Sequence, residues 1–472
     1  MIKRLINWWD GRYERQFSTI FPPNFSNPHH ETSPHALSLS GKLLLEHQLP
    51  DDYRTLLENK YLIKIPAITK KHFDYACNRC GNRVQRFFAS WPCGCGASCV
   101  YCRKCVQMGR VAFCSSLYIW TGTGAFFPRI SEACAWEGEL SRYQGVASDR
   151  IMEAVDGRSR LLVWAVCGAG KTEMLFAGLE KAFADGKRVC LATPRADVVR
   201  ELKPRFESAF PDVTIVARYG GSEEVDEGAQ FLLATTHQLL YYARAFDVMI
   251  IDEVDAFPYH ADPMLPYSTA RALKTDSTLI YLTATPRLDL KIRSHLKLLP
   301  TVFVPQRFHG HPLPVPVFLA SFDLKKRVVP KALKVWLDEK KRTGRRVLLF
   351  APTIEKAEKL KGELPGSISA HSEDPDREDK IGRFRQKEVD FLITTTILER
   401  GVTFPSIDVA VLDASHDVFD EAALVQIAGR AGRSPEDPDG DVVFFHDGAS
   451  DAMVNARDSI RKMNKLAEKG LK

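Results

Sequence analysis

The sequence predicts an α/β protein of two tandem parallel-sheet domains preceded by a small cysteine-rich domain, and three observations carry that expectation. From residue 136 onward, apolar runs of strand length alternate with amphipathic helical stretches, as strand-helix-strand units require. Five prolines between Pro300 and Pro316 interrupt the alternation; they suit neither a helix interior nor a central strand, so the stretch reads as an interdomain linker. Seven of the eleven cysteines crowd between Cys77 and Cys105. At 472 residues the chain exceeds the roughly 250–300 at which a single core stops growing. The expected divisions are 1–70, of unassigned role; 71–135, a cysteine domain; 136–303, a first sheet domain; and 304–472, a second.

A formal charge of +6 and a pI near 8.6 permit an acidic polymer as partner without demanding one. No window approaches the roughly 20 apolar residues of a membrane span, and no secretory leader is recognisable, so the expectation is a cytoplasmic protein. In a reducing compartment, crowded cysteines point to metal and not to disulfides.

The first 70 residues are the least informative. Basic and aromatic residues from Met1 to Phe17 suit a short amphipathic helix, either docked on its own domain or lying on an anionic membrane surface. His29, His30 and His35 lie in a proline-rich stretch without paired ligand spacing and read as loop histidines.

Cys77-Asn-Arg-Cys80 is a Cys-x2-Cys turn that can present two sulfurs to one zinc ion. The partner pair is ambiguous on spacing, because Cys99, Cys102 and Cys105 form two overlapping pairs. A second ion using Cys93, Cys95 and Cys99 is a further alternative. Arg79, Arg83, Arg86, Arg103, Lys104 and Arg110, with Phe87, Phe88, Trp91 and Tyr101 between them, read either as a basic stacking surface for nucleic acid or as solvated charge around a small core. Cys167 and Cys190, inside apolar runs, read as small buried hydrophobes.

Strands are expected at 161–166, 188–193, 213–217, 231–235, 248–252 and 279–283, then at 347–351, 391–395, 409–412 and 442–445. A basic terminal helix is expected from Asp451. The first strand runs into Cys167-Gly168-Ala169-Gly170-Lys171-Thr172, a glycine turn delivering lysine and threonine to the start of a helix. There, backbone N–H groups attract phosphate, the lysine reaches the outer phosphates, and the threonine hydroxyl joins a magnesium shell. Ala165 stands where this pattern ordinarily begins with glycine. Asp252-Glu253 follow another buried strand, which puts two carboxylates at its C-terminal end. Asp252 would hold Mg2+, and Glu253 would orient and deprotonate the attacking water. Gln144 stands where an adenine-reading glutamine would precede the loop. In the second half, Gln426 leads into Gly429-Arg430-Ala-Gly432-Arg433, whose arginines are three apart and share one face if helical. Arginine forks suit the charge that builds on a transferring phosphoryl group.

Together these residues resemble the superfamily-two helicases, in which two RecA-like domains share one ATP and track along nucleic acid. The resemblance implies that Thr193-Pro-Arg195, Gly220-Gly221 and Thr235 touch the phosphates of a strand, and that Thr395 does so from the second domain. It likewise implies that Thr283-Ala-Thr285 couples hydrolysis to movement, with Gly401 in the matching segment of the second domain contacting both strand and nucleotide. Thr396, Thr403 and Ile427 depart from residues common in that superfamily.

A narrower resemblance, carried by Asp252-Glu-Val-Asp-Ala-Phe-Pro258-Tyr259 and by cysteine motifs placed before the motor, is to the ComFA family of late competence ATPases. It implies Cys77, Cys80, Cys102 and Cys105 as zinc ligands. It also implies an ATP-, Mg2+- and Zn2+-dependent motor at the inner face of the cytoplasmic membrane, stimulated by single-stranded DNA and drawing transforming DNA through an uptake channel. Its partners would be that channel and other late competence proteins, with a homo-oligomer left open. A duplex-unwinding helicase of the replication-restart kind is the alternative, although such relatives carry their zinc cysteines late in the motor.

Overall fold

The computed structural model describes residues 34–470 except 97, 325 and 401–403. The amphipathic segment of Met1 to Phe17, His29, His30, Gly401 and Thr403 lie outside the described residues.

The amino-terminal unit contains β1 (Leu43–Leu45), β2 (Leu62–Pro66), β3 (Ile68–Lys71), β4 (Asp74–Cys77), β5 (Phe88–Pro92), β6 (Ser98–Cys102) and β7 (Ser116–Trp120). An antiparallel sheet of order β1-β7-β2 carries two hairpins, β3-β4 and β5-β6. Because β1 and β2 precede residue 70 yet pair with β7, the residues from 43 onward share a sheet with the cysteine region.

The first motor sheet comprises β8 (Arg160–Ala165), β9 (Val189–Thr193), β10 (Ile215–Arg218), β11 (Phe231–Thr235), β12 (Phe246–Ile251), β13 (Leu273–Thr283) and β14 (Thr301–Val304), in the order β10-β11-β9-β12-β13-β8-β14 and parallel throughout. β9 and β11 are buried along their whole length, which is why they read as unbroken apolar runs: a central parallel strand is covered on both faces. The proline stretch needs one correction. Its first four inner residues, Thr301–Val304, contain no proline and pair with β8 as an edge strand, so the connection proper begins at Pro305.

The second sheet comprises β15 (Val317–Ala320), β16 (Arg346–Phe350), β17 (Ser367–Ala370), β18 (Phe391–Thr394), β19 (Ile407–Leu412) and β20 (Val442–His446), again parallel, in the order β15-β20-β19-β16-β18-β17. The edge strands β15 and β17 were not expected: both have only four residues, β15 directly follows the proline stretch that reads as a linker, and β17 alternates serine with apolar residues. The terminal helix Asp451–Lys469 buries Met453, Ala456, Ile460 and Met463. It also reaches the first domain, where the Tyr143 hydroxyl donates to the Ala467 carbonyl at 3.0 Å.

The amino-terminal unit is fastened to the first motor sheet by buried arginines. Arg271 donates to the carbonyls of Leu239, Leu240, Tyr242 and Arg79. Arg188 donates to the Ser40 carbonyl of the amino-terminal unit at 3.3 Å and makes two bonds to the Asp226 carboxylate, at 2.8 and 3.1 Å, where the Tyr242 hydroxyl also donates at 2.7 Å. Asp226→Ala would strand the Arg188 guanidinium in the core, so a loss of about 3–5 kcal/mol is expected in urea unfolding. Arg188→Met/Asp226→Leu, which removes both charges, should lose distinctly less.

Candidate nucleotide site and cysteine centre

β8 ends at Ala165, whose methyl group is fully buried in the core, so an alanine is accommodated where the pattern ordinarily has glycine. The loop then turns through Gly168 at φ +77° and Gly170 at φ +69°, values that side chains other than glycine resist. Lys171 and Thr172 do not begin a helix directly: a single 3-10 turn, Glu173–Leu175, intervenes before the helix Phe176–Ala184. Gln144 sits against this loop, its Nε2 donating to the Ala169 carbonyl at 2.9 Å while its Oε1 accepts from the Ser141 N–H at 2.8 Å. In this state the glutamine buckles the loop to the start of the helix Arg142–Asp156.

The two motifs expected to share a nucleotide meet. Lys171 Nζ lies 3.3 Å from Asp252 Oδ1. Burial opposes the ammonium charge, but Asp252 and Glu253 hold its pKa above the ordinary lysine value. Asp252 Oδ1 also accepts from the Glu253 N–H at 2.8 Å. Glu253 adopts φ +51°, a left-handed conformation that costs a side-chain-bearing residue free energy and is held by its surroundings. Burial pushes its carboxyl above the usual carboxylate range against the pull of Arg400, which raises the proton affinity of a prospective general base.

Asp255 joins these groups to the rest of the fold. Its carboxylate accepts from the hydroxyls of Thr283 and Thr285, the latter at 2.6 Å, and forms a buried ion pair with Arg400 from the second domain. Burial alone would raise this carboxyl; Arg400 and the two hydroxyls bring it down to about 2. Arg400 Nη1 is also 3.7 Å from Glu253 Oε2, and these two atoms are buried without a hydrogen-bond partner. Such a pair of orphaned polar atoms beside Lys171 fits an attacking water and a phosphate oxygen.

The helix Glu421–Ala428 carries Gln426 and ends before the arginines, so Arg430 and Arg433 lie in the following turn and share no helical face. Arg430 is buried and Arg433 half-buried, in the turn whose Gly429 packs against Cys167 of the loop. Burial pushes both guanidinium groups below the ordinary arginine range, and at Arg430 the neighbouring Arg433 adds repulsion. Arg430 Nε donates to the Glu399 carbonyl at 2.9 Å, and Arg433 Nε to the Gly429 carbonyl at 3.0 Å. Concentrated, desolvated positive charge of this kind suits an anionic substrate.

Three participants escaped sequence reasoning. Cys167, expected to be only a small buried hydrophobe, donates from Sγ to Gln426 Oε1 at 3.0 Å across the domain boundary, and its side chain fills the space that a Cβ on Gly429 would need. Arg400 lay inside a recognised segment, but nothing in its neighbours marks it as the partner of Asp255. Arg307, within the proline stretch, is buried and donates to the carbonyls of Ala431, Gly432, Pro312 and Pro438, while the adjacent Phe308 N–H donates to Gly168 at 2.9 Å. The connection itself therefore touches the nucleotide loop and the arginine turn.

The residues expected to face nucleic acid follow neighbouring strand ends. Arg195 follows β9, Thr235 closes β11 opposite Thr193, and the exposed Gly220-Gly221 turn follows β10. Thr395 directly follows β18. Arg195 pairs with Asp197 and donates to the Ile397 carbonyl at 3.0 Å, which closes one side of an interdomain cavity of about 540 Å3 that Arg200, Arg377 and Arg385 also line. Arg79, read from the sequence as part of a basic surface, is instead buried and donates to the carbonyls of Cys105, Met108 and Gly109.

Cys77, Cys80, Cys102 and Cys105 are all buried, with their four sulfurs within 4.8 Å of one another. The Cys80–Cys102 and Cys77–Cys105 Sγ separations are 3.6 and 3.8 Å. Sulfurs bound tetrahedrally at a Zn–S length near 2.3 Å lie about 3.8 Å apart, so this set fits zinc. Cys99, left open by the spacing, is not among the four.

A Gly-Lys-Thr loop on one parallel sheet, faced by an arginine turn from a second, defines the class of helicase-type ATPases with two RecA-like domains. Residues 137–288 match the family described as type III restriction enzyme, res subunit, and residues 325–435 match the helicase conserved C-terminal domain. The fold is similar to Saccharomyces cerevisiae Dbp5 solved with RNA and ADP BeF3, at a TM-score of 0.50 and 18% identity over 71% of this chain and 98% of that one. Residues 30–119 match the competence protein ComFA N-terminal domain. Competence protein ComFA of Bacillus subtilis (strain 168) is 45% identical over 88% of this chain and 90% of its own length. That of Streptococcus pneumoniae (strain ATCC BAA-255 / R6) is 39% identical over 91% and 99%. The chain belongs to the ComFA family and is a competence-associated, helicase-type motor that hydrolyses ATP and binds nucleic acid. No helix among the described residues is long and apolar enough to cross a membrane.

Two outcomes follow from the geometry. Gly429→Ala places a methyl group against Cys167 and should lower ATP turnover on the order of 10²-fold while nucleotide binding, read with a fluorescent ATP analogue, persists; Cys167→Gly in the same chain should restore much of the turnover. Asp255, near 2 when folded, lies below the roughly 3.9 of an unfolded aspartate. Its contribution, about 2.5 kcal/mol, is therefore complete above roughly pH 5 and lost as pH falls through 2. Urea unfolding between pH 5 and 2 should show a shallower acid dependence in Asp255→Asn.

Proposed function

We propose that this motor is an ATP-driven single-stranded DNA translocase that draws transforming DNA inward at the cytoplasmic membrane. The observation that carries the reading is the shared carboxylate of Asp255: it is held by Thr283 and Thr285 beside Glu253 and paired with Arg400 of the opposite sheet. A change of charge at the hydrolysis site is thereby felt directly by the second domain. ATP would lie between the loop 168–172 and Arg430 and Arg433, with Lys171 on the outer phosphates. Asp252 and Thr172 would hold Mg2+, which when bound screens the phosphate charge. Glu253 takes the proton of the attacking water, and the arginine pair stabilises charge on the transferring phosphoryl group.

Nucleic acid would run across the strand ends that carry Arg195, Gly220, Gly221, Thr235 and Thr395, with Gly401 contributing from the second domain. Zinc held by Cys77, Cys80, Cys102 and Cys105 would be structural, since four protein ligands leave no open position. Its effect would reach the DNA track, because Arg271 and Tyr241 tie that centre to the segment just after Thr235. The membrane channel and other late competence proteins would be the partners, and the protein would work peripherally on the inner face.

ATPase rate with single-stranded DNA, duplex DNA and RNA tests the reading. Single strands should stimulate turnover most, Lys171→Ala and Glu253→Gln should abolish it, and Arg430→Ala should cost roughly 10³-fold or more. Indifference to every nucleic acid would sink the proposal; robust strand displacement on forked duplexes would favour the replication-restart alternative.

A further inference from the structure

A second group of four thiols meets at the tip of the β5-β6 hairpin. Cys93 follows β5, Cys95 lies in the turn, Cys99 is on β6, and Cys114 arrives from the segment before β7. Their sulfurs all lie within 4.8 Å of one another, with Cys93–Cys114 at 3.5 Å and Cys95–Cys99 at 3.2 Å. Cys114 is brought in by backbone pairing: Ala112 makes an antiparallel bridge to Tyr101, and the Phe113 N–H donates to the Val100 carbonyl at 2.7 Å, so this segment is held beside β6.

β6 also explains why these thiols form their own centre. Side chains alternate along a strand, so Cys99 and Cys102, an odd number of positions apart, leave β6 on opposite faces. Cys102 joins the buried set already described, and Cys99 joins the tip. A disulfide would bring two sulfurs to about 2.05 Å, whereas thiolates around one zinc stand about 3.8 Å apart; the observed separations belong with the second case.

Nothing apolar holds this tip together. Among the described residues, none from 89 to 99 belongs to a buried hydrophobic cluster. The turn contains Gly94 and Gly96, and the neighbouring Trp91 is 60% exposed. A segment too small for a core is the kind that a metal folds. We infer that Cys93, Cys95, Cys99 and Cys114 form a second tetrathiolate zinc centre, which pins the tip of the hairpin to the 112–114 segment. Soft thiolate donors in a closed set select zinc over magnesium or calcium.

The test is metal content and thiol protection in the full chain purified with reductant. Wild type should carry two zinc ions per chain, and mass-spectrometric mapping after alkylation should find all eight thiols protected until a chelator is added. Cys95→Ser/Cys114→Ser should lower the count to one and expose Cys93 and Cys99, while Cys77, Cys80, Cys102 and Cys105 stay protected. If that variant proves insoluble, the protection map of wild type decides by itself. Free alkylation of Cys93, Cys95, Cys99 and Cys114 in the native protein overturns the inference. So does an unchanged zinc count in the double variant, or a disulfide between any two of the four in reductant-purified protein.

Discussion

The ion pair between Arg400 and Asp255 is the interaction on which the motor's design depends. Both partners are buried, so neither charge is tolerable alone: separating them would leave a desolvated ion on each side of the domain boundary. The threonine hydroxyls that complete the shell of Asp255 belong to the segment after β13, and Glu253 stands beside it at the end of β12. Any event that changes the charge around Glu253 therefore changes the electrostatic reason for the second domain to stay where it is. For the proposed translocase that would be a physical means of converting hydrolysis into movement, with no long chain of intermediates.

Around this pair, contacts of different chemistry hold the same closed arrangement. Arg287 with Asp420, at 3.0 Å, and Lys291 with Glu421, at 2.9 Å, are partly exposed pairs that contribute little individually and can break cheaply. Cys167 against Gly429 is a steric fit with no slack, whereas Arg307 binds the interdomain connection to the arginine turn through the carbonyls of Ala431 and Gly432, and to the segment beyond it through that of Pro438. The rim can open at low cost, while the centre holds the buried charges.

The cysteine region is mechanically part of the first motor domain. Arg271 spans from the carbonyl of Arg79, inside the first cysteine turn, to the carbonyls of Leu239 and Leu240, which follow Thr235. A small unit built around four buried cysteines and placed there can stiffen the surface along which a strand would pass, without entering the chemistry.

What the sequence determined by itself was local and repetitive. Central parallel strands are buried on both faces, so β8, β9, β11, β12, β16 and β19 announced themselves as apolar runs, and the turns at the ends of β8 and β12 showed Lys171, Asp252 and Glu253 without any knowledge of packing. Spacing marked Cys77 and Cys80 as one pair for the same reason, since a Cys-x2-Cys turn is short-range chemistry. Only the tertiary structure decided the rest. A short edge strand such as β17 lacks the two-sided burial that makes an apolar run, and the four apolar residues Val317–Ala320 are too few, so close to the proline stretch, to separate a strand from a linker. Arg400 and Asp255 are 145 residues apart and Cys167 and Gln426 are 259 apart, separations over which local pattern carries no information about contact. The choice of Cys102 and Cys105 over Cys99 was settled by the pleat of β6, because alternation sends Cys99 and Cys102 to opposite faces and spacing along the chain does not register which face a sulfur leaves.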